Sequence, residues 1–411
     1  MTSSAATPVS TGHDLVIIGA GVVGLASAYA AVRRGCSVLL VDRNTGPALG
    51  TSFANGAQLS YAYTDAMAGP ATWGQLPEMA FGRNGPFRTR WSVDLDFVRW
   101  GLAFLRQANA NSLRQNTLAT LELALESRQA MQALLQQHPI DFDHLVSGKL
   151  HLYPTPEGVQ SAEAMIALKR PYGVQQRLVD AAQARAIEPA LAGASWLAGG
   201  VYSPEEEAGD PYRFSQGLLE ILQHQHSVQA DFDFDTQSLQ RTNGQWLLQA
   251  RDGRRVLAPR VLVCAGIDSA ALLRPLRMPV MAIKGYSFTA PLGANAPQVS
   301  ITDTKRKLVF CRLGDSIRVA GLADLNDWNP APEPARLAQL IAMARASLPD
   351  AADYDHIQSS WAGLRPVTPW SSPIIRNLGD GLGCNIGHGM LGWTLAMGSG
   401  ERAITQLLGT P

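Results

Sequence analysis

The chain has 411 residues, 46% of them hydrophobic and 17% charged, which fits a well-packed globular protein of two domains and excludes a disordered one. Lysine and arginine together number 34, as do aspartate and glutamate, so no net charge is available to capture nucleic acid. The four cysteines lack the spacing of metal sites and are too few for a disulfide framework, which predicts a reducing compartment and no bound metal.

The chain begins with small polar residues. Residues 1–13 carry neither the basic region nor the apolar region of a secretion signal, so a flexible tail is predicted there. The uncharged stretch 15–32 has the length of a membrane span. Its glycines, however, divide it into an aliphatic run, a turn and an alanine-rich segment, and this pattern favours a strand, a turn and a helix.

The glycine turn has the GxGxxG pattern of dinucleotide-binding proteins. A strand is predicted over Leu15–Ile18, a helix over Leu25–Arg34 and a second strand over Ser37–Val41. Such glycines allow a tight turn and a close backbone approach to a pyrophosphate, and the acid that ends the second strand suits a ribose hydroxyl while repelling the 2′-phosphate of NADP. The residues predicted to contact the cofactor here are Gly19, Ala20, Gly21, Val22, Val23, Gly24, Asp42 and Arg43.

The turn itself does not separate FAD from NAD, but later segments do. A small polar loop follows the acid and is suited to packing against a flat ring system. Residues 232–239 and 245–250 predict the strands of a hairpin, and Arg260–Cys264 predict another strand that ends in Ala265-Gly266. The cofactor contacts predicted in these segments are Thr51, Ser52, Ala54, Asn55, Gly56, Gln58, Leu59, Ser238, Ala265 and Gly266.

Three segments between these parts have helical character. Residues 111–138 show long helical periodicity without glycine, and a proline-rich connector in 321–349 leads into another helix. Residues 94–107 mix large apolar side chains with aspartates and arginines. This pattern suits either a helix on a membrane surface or a buried helix, and the buried helix is favoured.

Two C-terminal stretches complete the pattern. "WAGLRPVTPW" places Arg365 alone among tryptophans, glycine, prolines and aliphatic residues. Beyond it, a strand, a Gly-His-Gly turn and a helix from about Leu391 are predicted, and a helix N-terminus there can hold negative charge on a reduced flavin. The residues predicted to contact the cofactor are Gly387, His388, Gly389, Met390, Leu391, Gly392, Trp393 and Thr394.

Together these stretches resemble the FAD-dependent D-amino acid oxidase superfamily, and most closely its small-subunit type of bacterial D-amino acid dehydrogenase. The matching motifs occur in family order along nearly the whole chain: Leu15–Tyr29, Gly46–Ser60, Ile283–Ser287, Gly363–Pro369 and Asn385–Gly400.

The resemblance implies an α/β protein with two domains. A discontinuous Rossmann-type FAD-binding domain is expected from residues 14–75, 198–275 and 358–411. A mixed α+β substrate-binding domain is expected to be inserted as residues 76–197 and 276–357.

The resemblance also implies a reaction. A D-amino acid would lose its α-hydrogen as hydride to flavin N5, giving an imine that water hydrolyses to a 2-oxo acid and ammonia. Arg365 would bind the substrate carboxylate as a bidentate pair, although its residue type alone suits a structural ion pair equally well. For His388, contact with the flavin, a catalytic base and a structural role stay open. Tyr61, Tyr63 and Tyr286 are candidates for lining the substrate pocket.

Several alternatives stay open. Glycine oxidases carry a tyrosine and an arginine where this chain has Leu308 and Met390, which disfavours glycine but leaves other amine or imino-acid oxidases, of the hydroxyproline or sarcosine type. Trp370 is a candidate for filling space near the pocket. An NAD-dependent dehydrogenase and a non-catalytic dinucleotide-binding protein are further alternatives. The electron acceptor is a quinone or carrier, or O2, and the expected location is the cytoplasm, with or without peripheral contact at the inner face of the cell membrane.

Overall fold

In the computed structural model, residues 9–82 and 85–409 are described. Most of the predicted N-terminal tail, residues 1–8, lies outside them. Val9–Ser10, also within the predicted tail, form a short strand parallel to Arg255–Val256. Within the described ranges, no helix combines the length and the apolarity needed to cross a membrane.

The structure contains two large sheets and two small ones, with helices packed around them. In chain order the strands are β1 (Val9–Ser10), β2 (Leu15–Ile18), β3 (Val38–Val41), β4 (Gln58–Leu59), β5 (Phe87–Thr89), β6 (Lys149–Tyr153), β7 (Arg177–Asp180), β8 (Gly199–Ser203), β9 (Glu207–Ala208), β10 (Gln229–Asp231), β11 (Thr236–Thr242), β12 (Gln245–Ala250), β13 (Arg255–Ala258), β14 (Val261–Val263), β15 (Met281–Pro291), β16 (Ser300–Asp303), β17 (Leu308–Leu313), β18 (Ser316–Leu325), β19 (Ser359–Val367), β20 (Ile374–Gly379) and β21 (Leu382–Ile386).

Eleven α-helices are described besides short 3-10 turns. They are α1 (Val22–Val32), α2 (Thr72–Phe81), α3 (Leu95–Arg106), α4 (Ala110–Gln137), α5 (Pro156–Ser161), α6 (Glu163–Lys169), α7 (Ala181–Ile187), α8 (Pro211–His226), α9 (Ser269–Leu272), α10 (Pro334–Ser347) and α11 (Gly392–Leu408).

The first large sheet has six strands in the order β10-β3-β2-β14-β21-β20. Its first five strands are parallel and β20 is antiparallel, and the central strands are continuous apolar runs because both faces of the sheet are covered. The two strands predicted around the glycine turn are thus confirmed as β2 and β3. The helix between them begins at Val22 rather than at Leu25. Gly21 is the extended residue that precedes it (φ −71°, ψ 173°), and Val22, Val23 and Gly24 already belong to its first turn.

A small four-stranded sheet, β1-β13-β12-β11, lies beside the first large sheet. The prediction for residues 245–250 matches β12. The prediction of one strand over 232–239 is wrong in its bounds, because Asp233 adopts a left-handed backbone (φ 55°) that ends β10 and lets the hairpin start at Thr236.

The second large sheet has nine strands. Eight follow the order β19-β15-β18-β17-β16-β6-β8-β7, and β5 pairs with β18. One face carries the apolar side chains of Leu150, Ile301, Phe310 and Val319, which pack with Leu340 of α10 in one hydrophobic core. The other face carries smaller and polar side chains and is turned towards the glycine turn and the loop after β3.

Two strands pair with a different sheet from the one that the expected domain ranges assign to them. Both β8 and β19 fall in ranges expected for the nucleotide-binding domain, yet they pair with strands of the nine-stranded sheet. The chain therefore leaves the nine-stranded sheet only after Val367 and returns to the six-stranded sheet through β20 and β21.

Residues 94–107 form α3 with one buried and one exposed side. Phe97, Trp100 and Phe104 pack in a core with Ile283 and Val367. The Trp100 indole N–H also donates to the Val367 carbonyl at 3.0 Å. The prediction of a buried helix therefore holds for one face of α3, and the other face of this helix is exposed.

The terminal helix α11 lies in close contact with both α1 and α4. A Cβ on Gly400 would stand 2.8 to 2.9 Å from backbone atoms of Ala26 and Ser27, and one on Gly398 would stand 2.7 Å from the Ser127 nitrogen. These glycines therefore let three helices approach backbone to backbone.

Alanine substitutions at two helical glycines should change the free energy of unfolding in opposite directions. Gly400→Ala should lower the free energy of unfolding by about 1–3 kcal/mol because the new methyl group meets backbone. Gly101→Ala is the control, since a Cβ there meets nothing within 4 Å. It should raise stability by roughly 0.5–1 kcal/mol through helix propensity alone. Urea unfolding of both variants checks this, and a stabilising Gly400→Ala would contradict the packing.

Candidate active site

A long cavity of ≈ 430 Å³ runs between the two large sheets. Its walls include Ile18, Asp42, Cys264 and Gly387, which stand at or just after the carboxyl ends of β2, β3, β14 and β21. At its far end lie Trp361 and Arg365 of the nine-stranded sheet. Ligands of open parallel sheets bind at this edge.

Most of the predicted cofactor contacts line this cavity. They are Gly19, Gly21, Val22, Val23, Asp42, Arg43, Thr51, Ser52, Ala54, Asn55, Gly56, Ala265, Gly266, Gly387, His388, Gly389, Met390, Gly392 and Trp393. Segments that lie hundreds of residues apart in sequence are thus brought to one elongated site.

The glycine turn has the geometry that a closely bound ligand requires. Gly19 has φ +109°, and a Cβ there would stand 2.5 Å from the Cys264 carbonyl oxygen. A Cβ on Gly24 would collide with the Gly19 carbonyl oxygen, so α1 can pack against β2 only with glycine at this position. Gly21 is not crowded in this way, and Val22 N–H donates to the Ser52 hydroxyl at 3.2 Å.

Asp42 holds the turn as well as facing the cavity. Its Oδ2 accepts the backbone N–H of Ala20 at 2.7 Å, and its Oδ1 accepts two N–H groups of Asn44, each at 2.8 Å. The neighbouring Arg43 forms an ion pair with Asp268 at 2.9 Å. The glycine turn therefore fixes Asp42 in position, next to the ligand that the turn would bind.

Some predicted cofactor contacts lie outside the cavity wall. These are Ala20, Gly24, Gln58, Leu59, Ser238, Leu391 and Thr394. Gln58 and Leu59 form β4, and Thr394 accepts the Ser60 N–H at 3.0 Å. In place of Ser238, the wall contains Thr236 and Gln237, since the strand begins at a β-bulge there.

Other wall residues were missed from the sequence. They are contributed by the loop before β11, by the turn after β14 and by β18 and β19, and include Phe234, Asp235, Ile267, Leu272, Ala320 and Trp361. For Asp268 the sequence offered one indication of a place in the wall, a charged residue shortly after the predicted strand end at Ala265-Gly266. The positions of Ala320 and Trp361 depend on strand register, which a single sequence does not show.

Arg365 lies at the end of the cavity without an ionic partner. Its Nη1 donates to the Leu322 carbonyl at 3.1 Å, and among the described residues no carboxylate forms an ion pair with it. Burial lowers the pKa of Arg365 to about 10, only partly offset by the charge of Asp324, so the side chain stays cationic at neutral pH. The structural ion pair that its residue type allowed is therefore absent from the described part of the chain.

Two local features hold this guanidinium in place. It lies across Gly285 on the neighbouring strand, where any Cβ would collide with it. A β-bulge between Lys284 and Tyr286 leaves Leu322 without a register partner on β15, at a left-handed φ of 58°. The Leu322 carbonyl that the bulge displaces is the acceptor of the Arg365 N–H.

His388 lies in the cavity wall and is 4% exposed. One ring nitrogen, Nε2, is 2.9 Å from the Ser399 hydroxyl. Burial lowers the pKa of His388 to about 3, so the ring is neutral at physiological pH. A neutral ring fits contact with a ligand better than proton abstraction, which requires a pKa near the working pH.

The three tyrosines are not brought together. Tyr286 lines the cavity, but its hydroxyl donates to the buried Asp324 at 3.0 Å. Tyr61 and Tyr63 lie outside the cavity wall, and Tyr63 stacks on His151 with 3.7 Å between ring centroids.

The remaining singled-out residues also take separate positions. Trp370 does not line the cavity but borders a small crevice with Leu276 and Met278. Leu308 is buried in the apolar core of the nine-stranded sheet, whereas Met390 stands exposed at the cavity wall.

Comparisons of this chain with protein families, with curated proteins and with solved structures agree with one another. The family model described as "FAD dependent oxidoreductase" matches residues 14–407. The chain is 38% identical to "D-amino acid dehydrogenase 2" of Ralstonia nicotianae, over 94% of each chain. It is 39% identical to a protein of the same name from Pseudomonas aeruginosa, over 95% of this chain and 94% of the other. Among solved structures, glycine oxidase from Geobacillus kaustophilus superimposes with a TM-score of 0.75 at 18% identity, over 97% and 95% of the two chains.

The position of Asp42 predicts a loss of bound dinucleotide when its carboxylate is removed. Asp42→Ala should weaken cofactor binding at least about tenfold, because both the ribose acceptor and the anchor of Ala20 are lost. The absorbance of cofactor released from the purified protein measures this. Asp14→Ala is the control, since Asp14 accepts two hydrogen bonds from Ser37 at the opposite end of the same unit. Equal cofactor loss in both variants would contradict the assignment.

Proposed function

This chain belongs to the FAD-dependent oxidoreductase family, and on that premise we propose that it is a D-amino acid dehydrogenase. The family predicted from the sequence motifs is confirmed, and its cofactor is FAD, so the NAD-dependent and the non-catalytic alternatives are set aside. The proposed reaction oxidises the Cα–N bond of a D-amino acid to an imine, which water hydrolyses to a 2-oxo acid and ammonia.

The residues present fit FAD. The crowded positions Gly19 and Gly24 shape a turn that side chains would close, and His388 and the first residues of α11 line the same cavity. The glycine turn and Asp42 would hold the pyrophosphate and ribose, and the loop 51–56 would pack against the ring system. When bound, FAD supplies the acceptor for the substrate's hydride.

The observation that carries the proposal is the unpaired cation of Arg365. A guanidinium buried without a carboxylate is costly, and a bidentate pair with a substrate carboxylate would offset that cost. Gly285 leaves room for the group, and the Leu322 carbonyl orients it. Arg365 would thereby fix the substrate's Cα at one position in the cavity.

The other cavity residues would orient the cofactor and enclose the substrate. His388 would present a neutral ring to the cofactor, and the N–H groups at the start of α11 favour negative charge beside them. Trp361 and Ala320 would exclude water from the cavity end, where the carboxylate binds. None of these residues is assigned a proton-transfer step.

Two linked results are expected from anaerobic stopped-flow spectroscopy of the FAD-loaded protein. A D-amino acid should bleach the flavin absorbance while its L-enantiomer does not. Arg365→Ala should need roughly 30- to 1000-fold more substrate for half-maximal bleaching, because a buried charge pair is truncated. Its bound FAD should be unchanged, and Arg365→Lys should fall between the two proteins.

The contrary outcomes are distinct. Bleaching only by glycine, sarcosine or hydroxyproline would replace the proposal by the amine or imino-acid alternative. An unchanged half-saturating concentration in Arg365→Ala, for every substrate accepted, would remove Arg365 from the carboxylate site.

For the electron acceptor, we propose a membrane quinone reached from the membrane surface. The exposed side of α3 supports this: Leu95 is 66% exposed and Leu102 54%, with Val98 between them. Arg99, on the same helix, is half-exposed and forms an ion pair with Asp96 at 3.5 Å, and it would exchange that partner for an anionic lipid headgroup at the membrane. Trp91 and Val93 extend the exposed apolar surface before the helix begins.

Changing this surface should reduce binding to vesicles. Replacing Leu95, Val98 and Leu102 together by serine is expected to lower the vesicle-bound fraction roughly tenfold, through lost burial of apolar area. Co-sedimentation with anionic lipid vesicles measures this, and turnover with a water-soluble acceptor should persist. Leu145→Ser with Val146→Ser, an exposed apolar pair elsewhere, is the control. Equal loss in both sets, or no binding by the unaltered protein, contradicts the membrane contact.

A further inference from the structure

A second group of buried polar side chains lies on the cavity-facing side of the nine-stranded sheet. It consists of Lys149 and His151 of β6, Lys169 of α6 and Glu206 before β9, together with the half-buried Tyr63 that stacks on His151, and is here called the Lys149 chamber. Across the sheet, His151 pairs with Thr302, Thr302 with Val309 and Val309 with Ala320, which lines the cavity. Along β6, Leu150 and Leu152 point to the opposite, apolar face.

The cation of Lys149 has no ionic partner. Its ammonium donates to the Ser60 hydroxyl at 2.6 Å, and no carboxylate of the described residues lies within ion-pair distance. The two other buried lysines differ, because Lys169 pairs with Asp65 at 2.9 Å and Lys284 with Asp327 at 3.6 Å. Lys149 therefore resembles Arg365, the unpaired cation of the same sheet face.

Unused hydrogen-bonding atoms surround this ammonium. Both ring nitrogens of His151 and the Oε2 atom of Glu206 are buried without a partner in the described part of the chain. The other carboxylate oxygen of Glu206 accepts the Ala62 N–H at 2.7 Å. Buried polar groups are rarely left unpaired, so several together indicate that something polar occupies the chamber.

The ionisable groups of the chamber are the ammonium of Lys149, the ammonium of Lys169, which is paired with Asp65, and the carboxyl of Glu206. Burial lowers the pKa of Lys149, and the nearby charge of Glu206 offsets part of this effect. Burial and the two nearby lysines lower the pKa of His151, which leaves a neutral ring with one N–H to donate. Burial raises the pKa of Glu206, and the nearby charge of Lys149 offsets part of this effect, so the carboxylate of Glu206 is weakened as a competitor for the ammonium.

We propose that the Lys149 chamber binds a carboxylate anion, with the Lys149 ammonium as its counter-charge and the His151 ring as a hydrogen-bond donor. The anion has two possible sources. It is either a free monocarboxylate, entering past the half-buried Tyr63 and Asp65, or the second carboxylate of a dicarboxylic substrate. The second source rests on the proposed function, and the first does not.

Acetate and acetamide test the free anion, because they differ in charge and hardly in shape. The FAD-loaded Arg365→Ala protein is used, so that binding at the substrate carboxylate site is removed. Acetate should raise its melting temperature and acetamide should not. Adding Lys149→Met should weaken acetate binding at least tenfold. Adding Lys305→Met, a change of an exposed lysine in the turn between β16 and β17, should leave it unchanged.

A second variant, Glu206→Gln, tests the same proposal if Lys149→Met does not fold. Glu206→Gln retains an acceptor for the Ala62 N–H and removes the competing negative charge. Acetate should therefore bind this variant more tightly than the parent protein. Unchanged or weaker binding would argue against an anion in the chamber.

D-Glutamate and D-glutamine test the substrate source in the protein with Arg365 intact. If the substrate supplies the anion, Lys149→Met should lower the kcat/KM ratio of D-glutamate to D-glutamine at least tenfold. A free anion leaves that ratio unchanged while acetate still raises the melting temperature. Responses to acetate and D-glutamate that do not depend on Lys149 would overturn the proposal. If no D-amino acid bleaches the flavin, the proposed function fails while the acetate result still decides the chamber.

Discussion

The contact between Gly24 and the Gly19 carbonyl oxygen constrains most of the structure. No side chain fits between α1 and β2 there, so the helix packs directly on the strand and its N-terminus reaches the carboxyl edge of the sheet. Because α1 lies this close, α11 can pack on it through Gly400 and on α4 through Gly398. The start of α11 then lies in the wall of the same cavity as the glycine turn. One close approach thus aligns two helix N-termini with one ligand site.

The second sheet contributes the buried guanidinium of Arg365 to the cavity wall. Its alternation is the reason: apolar side chains of β6, β16 and β17 fill the core under α10, and the side chains between them face the cavity side. Arg365 belongs to this second set, and the bulge on β18 adds a carbonyl acceptor beside it. The loop after β3 joins the sheets, since the Ser287 hydroxyl donates to the Ala54 carbonyl and Thr51 donates to the Leu364 carbonyl.

Parts of this arrangement could be predicted from the sequence because they are local. The glycine turn, Asp42, the Gly-His-Gly segment and the helix of residues 110–137 depend on neighbouring residues, and they lie close to where they were expected. The contacts of Ala320, Trp361 and Gly285 depend on which strands pair and in which register, and no single sequence states this. Tyr61 and Tyr63 were candidates for the pocket by residue type, whereas Tyr61 packs in the core that α1, α4 and α11 share and Tyr63 stacks on His151 of β6. The alternation in Lys149–Tyr153, where polar residues flank leucines, was the sequence signal for a polar face at His151.

Two unpaired cations on one sheet face have a thermodynamic consequence. A buried charge without a counter-charge destabilises the folded protein, and any anion that binds only the folded state restores that stability in proportion to its occupancy. If the two proposals hold, Arg365 and Lys149 would link the stability of the second sheet to its ligands, whereas Lys169, Lys284 and Arg318 have carboxylate partners within the protein. On the two proposals made above, the cavity side of this sheet would be the face that recognises anions.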